Sequence, residues 1–251
     1  MSKFRKSGLK EVADVIFFDL ETKKPAILFN TLKVSTIENE SESAEARGGR
    51  GNGKLMSWDY GRTATLTLSD ALISDVSLAM LAGTAVKEAG TGSTIKVVET
   101  ENKTVGTGGK VTLNFTPVKD SVSAFTTQNG IMVAPIEGLT VTDKEVTFGT
   151  VPAVGTTVTV FYEREVSSNA SLITFSARQF PKTYRVVGST IVRGEDGVDR
   201  KMQFVIHKAK LQTSFSLTMD AENVSTFDFT LDVLTDTTTD EFKLYDIIRI
   251  D

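Results

Sequence analysis

His207 is the single histidine of the chain, and there is no cysteine. A lone histidine could act as general base toward a serine, with an aspartate orienting it. No Gly-x-Ser-x-Gly turn is present to hold such a serine. His207 lies in Met202–Ala209, where Met202, Phe204 and Ile206 alternate with Gln203, Val205 and His207. It therefore falls opposite the apolar set and reads as structural. One histidine and no cysteine exclude a multi-histidine zinc site, a thiol nucleophile and a disulfide framework. Gly106-Thr-Gly-Gly-Lys110 has the look of a phosphate loop, but Thr104 stands where its first glycine belongs, Val111 replaces the hydroxyl residue, and a strand pattern follows instead of a helix. Asp236–Asp240 lacks the spacing and glycine of a calcium loop. Arg47-Gly-Gly-Arg-Gly51 is one Arg-Gly-Gly unit without the tandem array of RNA binders. Asn102, Asn114, Asn169 and Asn223 begin glycosylation patterns, but no sustained apolar run follows the basic residues Lys3, Arg5, Lys6 and Lys10, so no secretory leader is expected and the matches are coincidence. The chain is read as a non-enzyme with no cofactor and no metal.

The elements that remain are strands. Of 251 residues, 40% are hydrophobic and the net charge is −4, which suits a chain that buries a core. No apolar run approaches the ~18 residues of a spanning helix, so no membrane partner is expected. Phe227, Phe229, Leu231 and Val233 alternate with Asp228, Thr230 and Asp232, a strand with one apolar and one wet face. Leu211–Met219 alternates in the same way and is joined to it by the turn-like Asp220–Asn223, so the two could pair as a hairpin. Further strands are predicted at 12–20, 26–36, 62–68, 171–178, 183–193 and 201–209, with Gly194–Gly197 as the turn between the last two. One helix is predicted, capped by Ser69, running to Leu81 with Leu72, Val76, Ala79 and Met80 on its inner face and Gly83 as its C-terminal stop.

Between Thr84 and Ser168 the texture changes: short Val-, Thr- and Phe-rich strands alternate with glycine-bearing turns at nearly regular spacing. This predicts a small β-sandwich inserted in a discontinuous domain, residues 1–83 with 168–251 forming the host and 84–167 the insertion. An enlarged single sandwich is the alternative.

Glu38–Met56 is polar, dense in charge and glycine, and without period. It reads as a long flexible loop. Acids come first (Glu38, Glu40, Glu42, Glu45), then Arg47, Arg50 and Lys54, an order that lets copies pair head to tail. The last 41 residues carry nine acids against Lys243 and Arg249, which argues against general nucleic-acid binding and reads most simply as a solvated acidic face.

Several stretches resemble one family. Arg47-Gly-Gly-Arg-Gly-Asn-Gly-Lys-Leu55 leads through Trp58-Asp59 and Asp59-Tyr60-Gly61-Arg62 to Thr63–Leu72. Later come Phe180-Pro-Lys-Thr-Tyr184 running to Gly188, Ile191-Val-Arg193, Lys208–Leu211 and Leu217–Ala221. Over about 10–83 and 168–251 the chain resembles the major tail tube proteins of long-tailed bacteriophages. The middle segment, through Gly149-Thr-Val-Pro-Ala-Val-Gly155 and the strand after it, resembles the immunoglobulin-like modules of phage tails and capsids.

That resemblance implies a mainly β fold, a sandwich or half-barrel flanked by one helix. It implies hexameric rings that stack into a hollow tube in the virion tail, made in the bacterial cytoplasm. Partners would be copies of itself, the tape measure, terminator and baseplate or tip proteins, and genome DNA passing through without specific binding. Glu42, Glu45, Arg47, Arg50, Asn52, Lys54 and Trp58 would lie on an inter-subunit loop. Lys3, Arg5 and Lys6 would form a ring-stacking arm, and Asp228 and Asp232 are candidates for the lumen. The alternatives are a baseplate or capsid-associated protein, or a monomeric glycan-binding module.

Overall fold

Residues 6–215, 226–238 and 240–250 are described by the computed structural model. Lys3, Arg5, the second half of the predicted strand 211–219 and the turn Asp220–Asn223 lie outside the described residues. The chain opens with β1 (Ser7–Leu9), β2 (Asp14–Asp19), β3 (Pro25–Phe29), β4 (Leu32–Gly48) and β5 (Gly53–Asp70), then helix α1 (Asp75–Ala82). It continues with β6 (Lys87–Glu88), β7 (Ile95–Thr104), β8 (Lys110–Thr112), β9 (Ser123–Gln128), β10 (Ile131–Ile136), β11 (Thr140–Thr142), β12 (Glu145–Thr147), β13 (Thr157–Val166) and β14 (Ser171–Leu172). It closes with β15 (Thr183–Gly194), β16 (Asp199–Leu211), β17 (Phe227–Val233) and β18 (Tyr245–Ile250). The fold is mainly β. Two compact units result, Met1–Val86 with Ile173–Asp251, and Lys87–Leu172.

The first unit holds one antiparallel sheet in the order β3-β2-β15-β16-β17-β5-β4, with β1 added to β15 and β18 to β16. Alternation explains its core. In β17 the residues Phe227, Phe229, Leu231 and Val233 are buried while Asp228 and Asp232 are exposed. β5 answers with Leu68, Leu66 and Ala64 at the same register. Phe17, Phe29 and Phe229 meet at ring-centroid distances of 5.1 to 6.4 Å, a range that adds directional contacts to the burial. The β15–β16 hairpin turns at the predicted place, with Gly197 at φ 74°. In that hairpin Gly188 pairs with Phe204, and the Phe204 ring occupies the space a Cβ on Gly188 would need, 2.0 Å away.

Three elements differ from the sequence reading. The helix begins at Ser74, not Ser69: Ser74 and Ser77 form a reciprocal capping box, and β5 runs on through Asp70 because it still pairs with β17 and β4 there. The Asp70 carboxylate accepts from Thr31 Oγ1 at 2.6 Å and caps no helix. The buried face is accordingly Ser77, Ala79, Met80, Leu81 and Ala82, with Leu72 and Val76 exposed. Gly83 does end the helix, at φ 68° with its N–H returned to Ala79 and Met80 carbonyls. Of the strand predicted at 171–178 only Ser171–Leu172 forms. The third difference is the largest. Residues 38–56 are not an irregular loop but the outer half of a long hairpin, β4 against β5, paired from Leu32↔Asp70 to Gly48↔Gly53.

In the second unit a four-stranded sheet (β10-β9-β13-β7) and a three-stranded sheet (β11-β12-β8) supply one core containing Val111, Ala124, Val146, Phe148, Val158 and Val160. Glu101 and Tyr162 are buried with them. The Glu101 carboxylate accepts from the Tyr162 hydroxyl, from the Asn114 backbone N–H at 3.0 Å and from Lys103 Nζ at 2.8 Å, so the buried charge is paired and hydrogen-bonded.

Candidate assembly interface

The hairpin decides where the sequence-predicted contact residues go. Beyond the body, β5 carries Gly61 and Arg62 opposite the single residue Ser41, because Glu40 pairs with Thr63 and Glu42 with Tyr60. Gly61 sits at φ 61°, the geometry of a bulge whose first residue is a left-handed glycine. Such a bulge bends and twists a strand, so Gly61 marks the root of an arm made of residues 42–60. Its tip is the turn Gly49–Asn52, with Gly49, Gly51 and Asn52 all at positive φ. Arg50 and Asn52 are exposed in that tip.

The two faces of the arm differ. Arg47 Nη2 and Lys54 Nζ each lie 2.6 Å from a Glu45 carboxylate oxygen. These two cations hold the Glu45 carboxyl below its ordinary range, Lys54 foremost. Two of the three bases expected to seek acids on a neighbouring copy, Arg47 and Lys54, are therefore already engaged inside the same hairpin. By strand alternation the other face carries Met56, Trp58 and Tyr60, set opposite Ala46, Ala44 and Glu42. They stand 54–57% exposed, an apolar stripe that is open to solvent among the described residues. Of these Trp58 was singled out from sequence. Met56 and Tyr60 were not, although their spacing with Trp58 is the period-2 signal itself.

Asp228 and Asp232 share the outer face of β17. Asp228 accepts from Ser69 Oγ and Asp232 from Gln212 Nε2 at 2.8 Å. The register sets Asp228 beside Ser69, Thr230 beside Thr67 and Asp232 beside Thr65, and Glu38 lies next to Thr65 on β4. The sheet therefore turns a carboxylate-and-hydroxyl surface away from its core. Lys6, the described member of the predicted N-terminal arm, is exposed and lies 3.9 Å from Glu195, next to β1 on the edge of β15.

At the other edge, β18 is held to β16 over six residue pairs. His207 Nε2 lies 2.9 Å from Asp246 Oδ2, and Asn39 Nδ2 donates to the Tyr245 hydroxyl at 2.8 Å. His207 thus fastens a strand edge. Beside β18 a groove of about 430 Å³ opens, bounded by Leu9, Val12, Val34, Met202, Phe204 and Ile247. Sequence alternation gave no sign of it, because its walls come from β1, β4, β16 and β18. Among the described residues no cluster of His, Asp and Glu is arranged to hold a metal, and no helix is long and apolar enough to cross a membrane.

A comparison with protein-family models returns the YomU/Tube protein family over residues 7–247. None of the curated proteins compared with the chain matches it.

Proposed function

The chain belongs to the YomU/Tube protein family, a tube-type structural protein of a phage virion, and we propose that its copies close into rings, six to a ring, that stack into the hollow tail tube through which DNA leaves the capsid. One observation carries this reading. A two-stranded ribbon is marginal in water without further packing, yet β4 and β5 extend as one well past their last buried residue, with Met56, Trp58 and Tyr60 exposed. A surface of that kind belongs to an assembly.

Three features give the reading detail. Among the described residues β4 ends the sheet and β18 pairs with β16, so lateral neighbours would find strand edges to extend. The Asp228, Asp232 and Glu38 surface suits a bore, because a carboxylate lining repels phosphate and leaves DNA free to slide. Lys3, Arg5 and Lys6 suit the acidic C-terminal region of the next ring. Residues 84–167 read as an immunoglobulin-like module inserted in the tube domain. Tape measure, terminator and baseplate or tip proteins would meet the ends of the tube.

Negative-stain microscopy of the purified chain tests this directly. Stacked tubes support it. Single rings without stacking favour a baseplate or capsid-associated role, and monomers at high concentration favour a free binding module. A map of the tube with Asp228 and Asp232 turned away from the bore rejects the lumen assignment alone.

A further inference from the structure

Lys103 and Asn114 meet inside the Lys87–Leu172 unit, beside the buried carboxylate of Glu101. We propose that Lys103 Nζ attacks the side-chain amide of Asn114 and joins the two residues by an isopeptide bond, with Glu101 as the base and ammonia as the leaving group. The inference stands apart from the tube reading and concerns the second unit alone.

Four observations carry it. The reacting groups are already in contact: Lys103 Nζ donates to Asn114 Oδ1 at 3.0 Å, and the carbon to be attacked is one carbonyl bond, about 1.23 Å, from that oxygen. A pair held in this way replaces a bimolecular encounter by a step within one chain. The base is at hand. Glu101 and Lys103 lie two apart on β7 and share a face, and Glu101 Oε2 is 2.8 Å from Lys103 Nζ, within reach of proton transfer. The site is enclosed. The side chains of Glu101 and Lys103 are 7% and 23% exposed, and the Tyr162 hydroxyl covers Glu101. Burial disfavours charge, so moving the ammonium proton to the carboxylate, which removes both charges, is eased there. Finally, Asn114 is held still. Its N–H donates to Glu101 Oε1 at 3.0 Å, its carbonyl accepts from Lys144 Nζ at 2.9 Å, and the next N–H, of Phe115, donates to the Tyr162 hydroxyl at 3.3 Å.

The step balances without a co-reactant. Glu101 takes a proton from the Lys103 ammonium. The freed lone pair forms the Nζ–Cγ bond, and the carbonyl pair moves onto Oδ1. When that pair returns, the Cγ–Nδ2 bond breaks. Glu101 gives its proton to Nδ2 and takes the second proton from Nζ, which leaves with the ammonia as ammonium. The product ties β7, in the four-stranded sheet, to the segment just after β8 of the three-stranded sheet. In a chain without cysteine it supplies the covalent constraint on the unfolded chain that a disulfide would.

Mass spectrometry of the full native chain tests it. Closure removes one ammonia, a loss of about 17 Da. Trypsin should then release a branched peptide joining 97–110 to 111–119, because an acylated Lys103 is no longer cleaved. Lys103→Arg keeps the cation but offers no attacking amine, and should show the full mass and linear peptides alone. Glu101→Gln, with native circular dichroism, should likewise give mostly linear peptides, and a branched peptide that persists in it overturns the role given to Glu101. Should that variant fail to fold, the native chain and Lys103→Arg still decide whether the bond forms. A folded native chain that keeps its full mass after prolonged incubation, and yields 97–103 and 111–119 as separate peptides, overturns the proposal. So does a loss of about 17 Da confined to linear peptides, the mark of a succinimide at Asn52-Gly53 or Asn129-Gly130.

Discussion

The Tyr162 hydroxyl donates to the Glu101 carboxylate inside the core of the Lys87–Leu172 unit. β13 and β7 place the two residues on the inner side of one sheet, and the pair joins the Asn114 backbone and Lys103 in a satisfied network. Burial pushes the Glu101 carboxyl up, but the hydrogen bonds from Lys103, Tyr162 and Asn114 outweigh it and hold the group below its ordinary value. Burial, then the hydrogen bond to Glu101, pushes the Tyr162 hydroxyl up to about 12.

Both shifts make the stability of this unit depend on pH. Glu101 titrates lower when folded, so its contribution is whole above the unfolded carboxyl range, about pH 4.3, and is lost as pH falls through the folded value. Tyr162 titrates higher when folded, so its contribution is whole below about pH 10 and is lost as pH rises toward 12. Denaturant melts of the full chain should show a plateau between these limbs. Tyr162→Phe should lower the stability of this unit by about 1–2 kcal/mol at neutral pH, the cost of a deleted buried hydrogen bond, and should flatten the alkaline limb. An alkaline limb unchanged in the variant would assign that limb to another group.

Gly188 and Phe204 make the first unit sensitive to a single methyl. The added Cβ would lie 2.0 Å from the ring, and Phe204 is 7% exposed against the core, so the ring must leave its position. Gly188→Ala should destabilise by about 1–3 kcal/mol, as overpacking does, read as a lower thermal midpoint. The double variant with Phe204→Leu should recover part of that loss.

Gly61 is expected to govern assembly more than folding. A Cβ there meets nothing within 4 Å, so the cost of Gly61→Val is the left-handed backbone alone, about 1–2 kcal/mol for a non-glycine residue. That strain falls at the arm's root. The critical concentration for polymerisation should rise about tenfold or more while the melting of the body changes little. Gly61→Asn, which tolerates this conformation, should stay near native. Equal polymerisation by all three would separate the arm from assembly.

Ionic strength gives the fourth expectation. Lys6, Lys10 and Lys33 are exposed, and such charges are screened over about 8 Å at physiological salt. Polymerisation measured by light scattering should weaken between low salt and about 0.5 M, where the screening length is shorter still. Replacing Lys3, Arg5 and Lys6 with glutamine should reduce the slope. Assembly that ignores salt would assign the contacts to apolar burial alone.

Much of the fold is written in alternation. Phe227–Val233 and Thr183–Gly194 each bury one face, and a half-buried strand cannot hide its period of two, whereas Asp199–Leu211 buries Phe204, Val205 and Ile206 in succession. The Gly194–Gly197 turn and the Gly83 stop are likewise local, since each depends on one backbone geometry that glycine supplies. Ser69 and Ser74 are both good caps, so local sequence leaves the helix start open. Only strand pairing at Asp70, a contact with residues far away in sequence, decides between them.

The sequence by itself determined a β-rich chain with an unevenly charged end, because composition and local periodicity are properties of the chain alone. Tertiary structure decided the rest. An arm exposed on both faces shows little apolar contrast against solvent, so Glu38–Met56 reads as loop until its pairing with Gly53–Thr65 is seen. Glu45 looks free until Arg47 and Lys54 fold against it. The groove at Leu9, Val34 and Ile247 exists in no segment, only where strands from opposite ends of the chain meet, and no local period can record such a meeting.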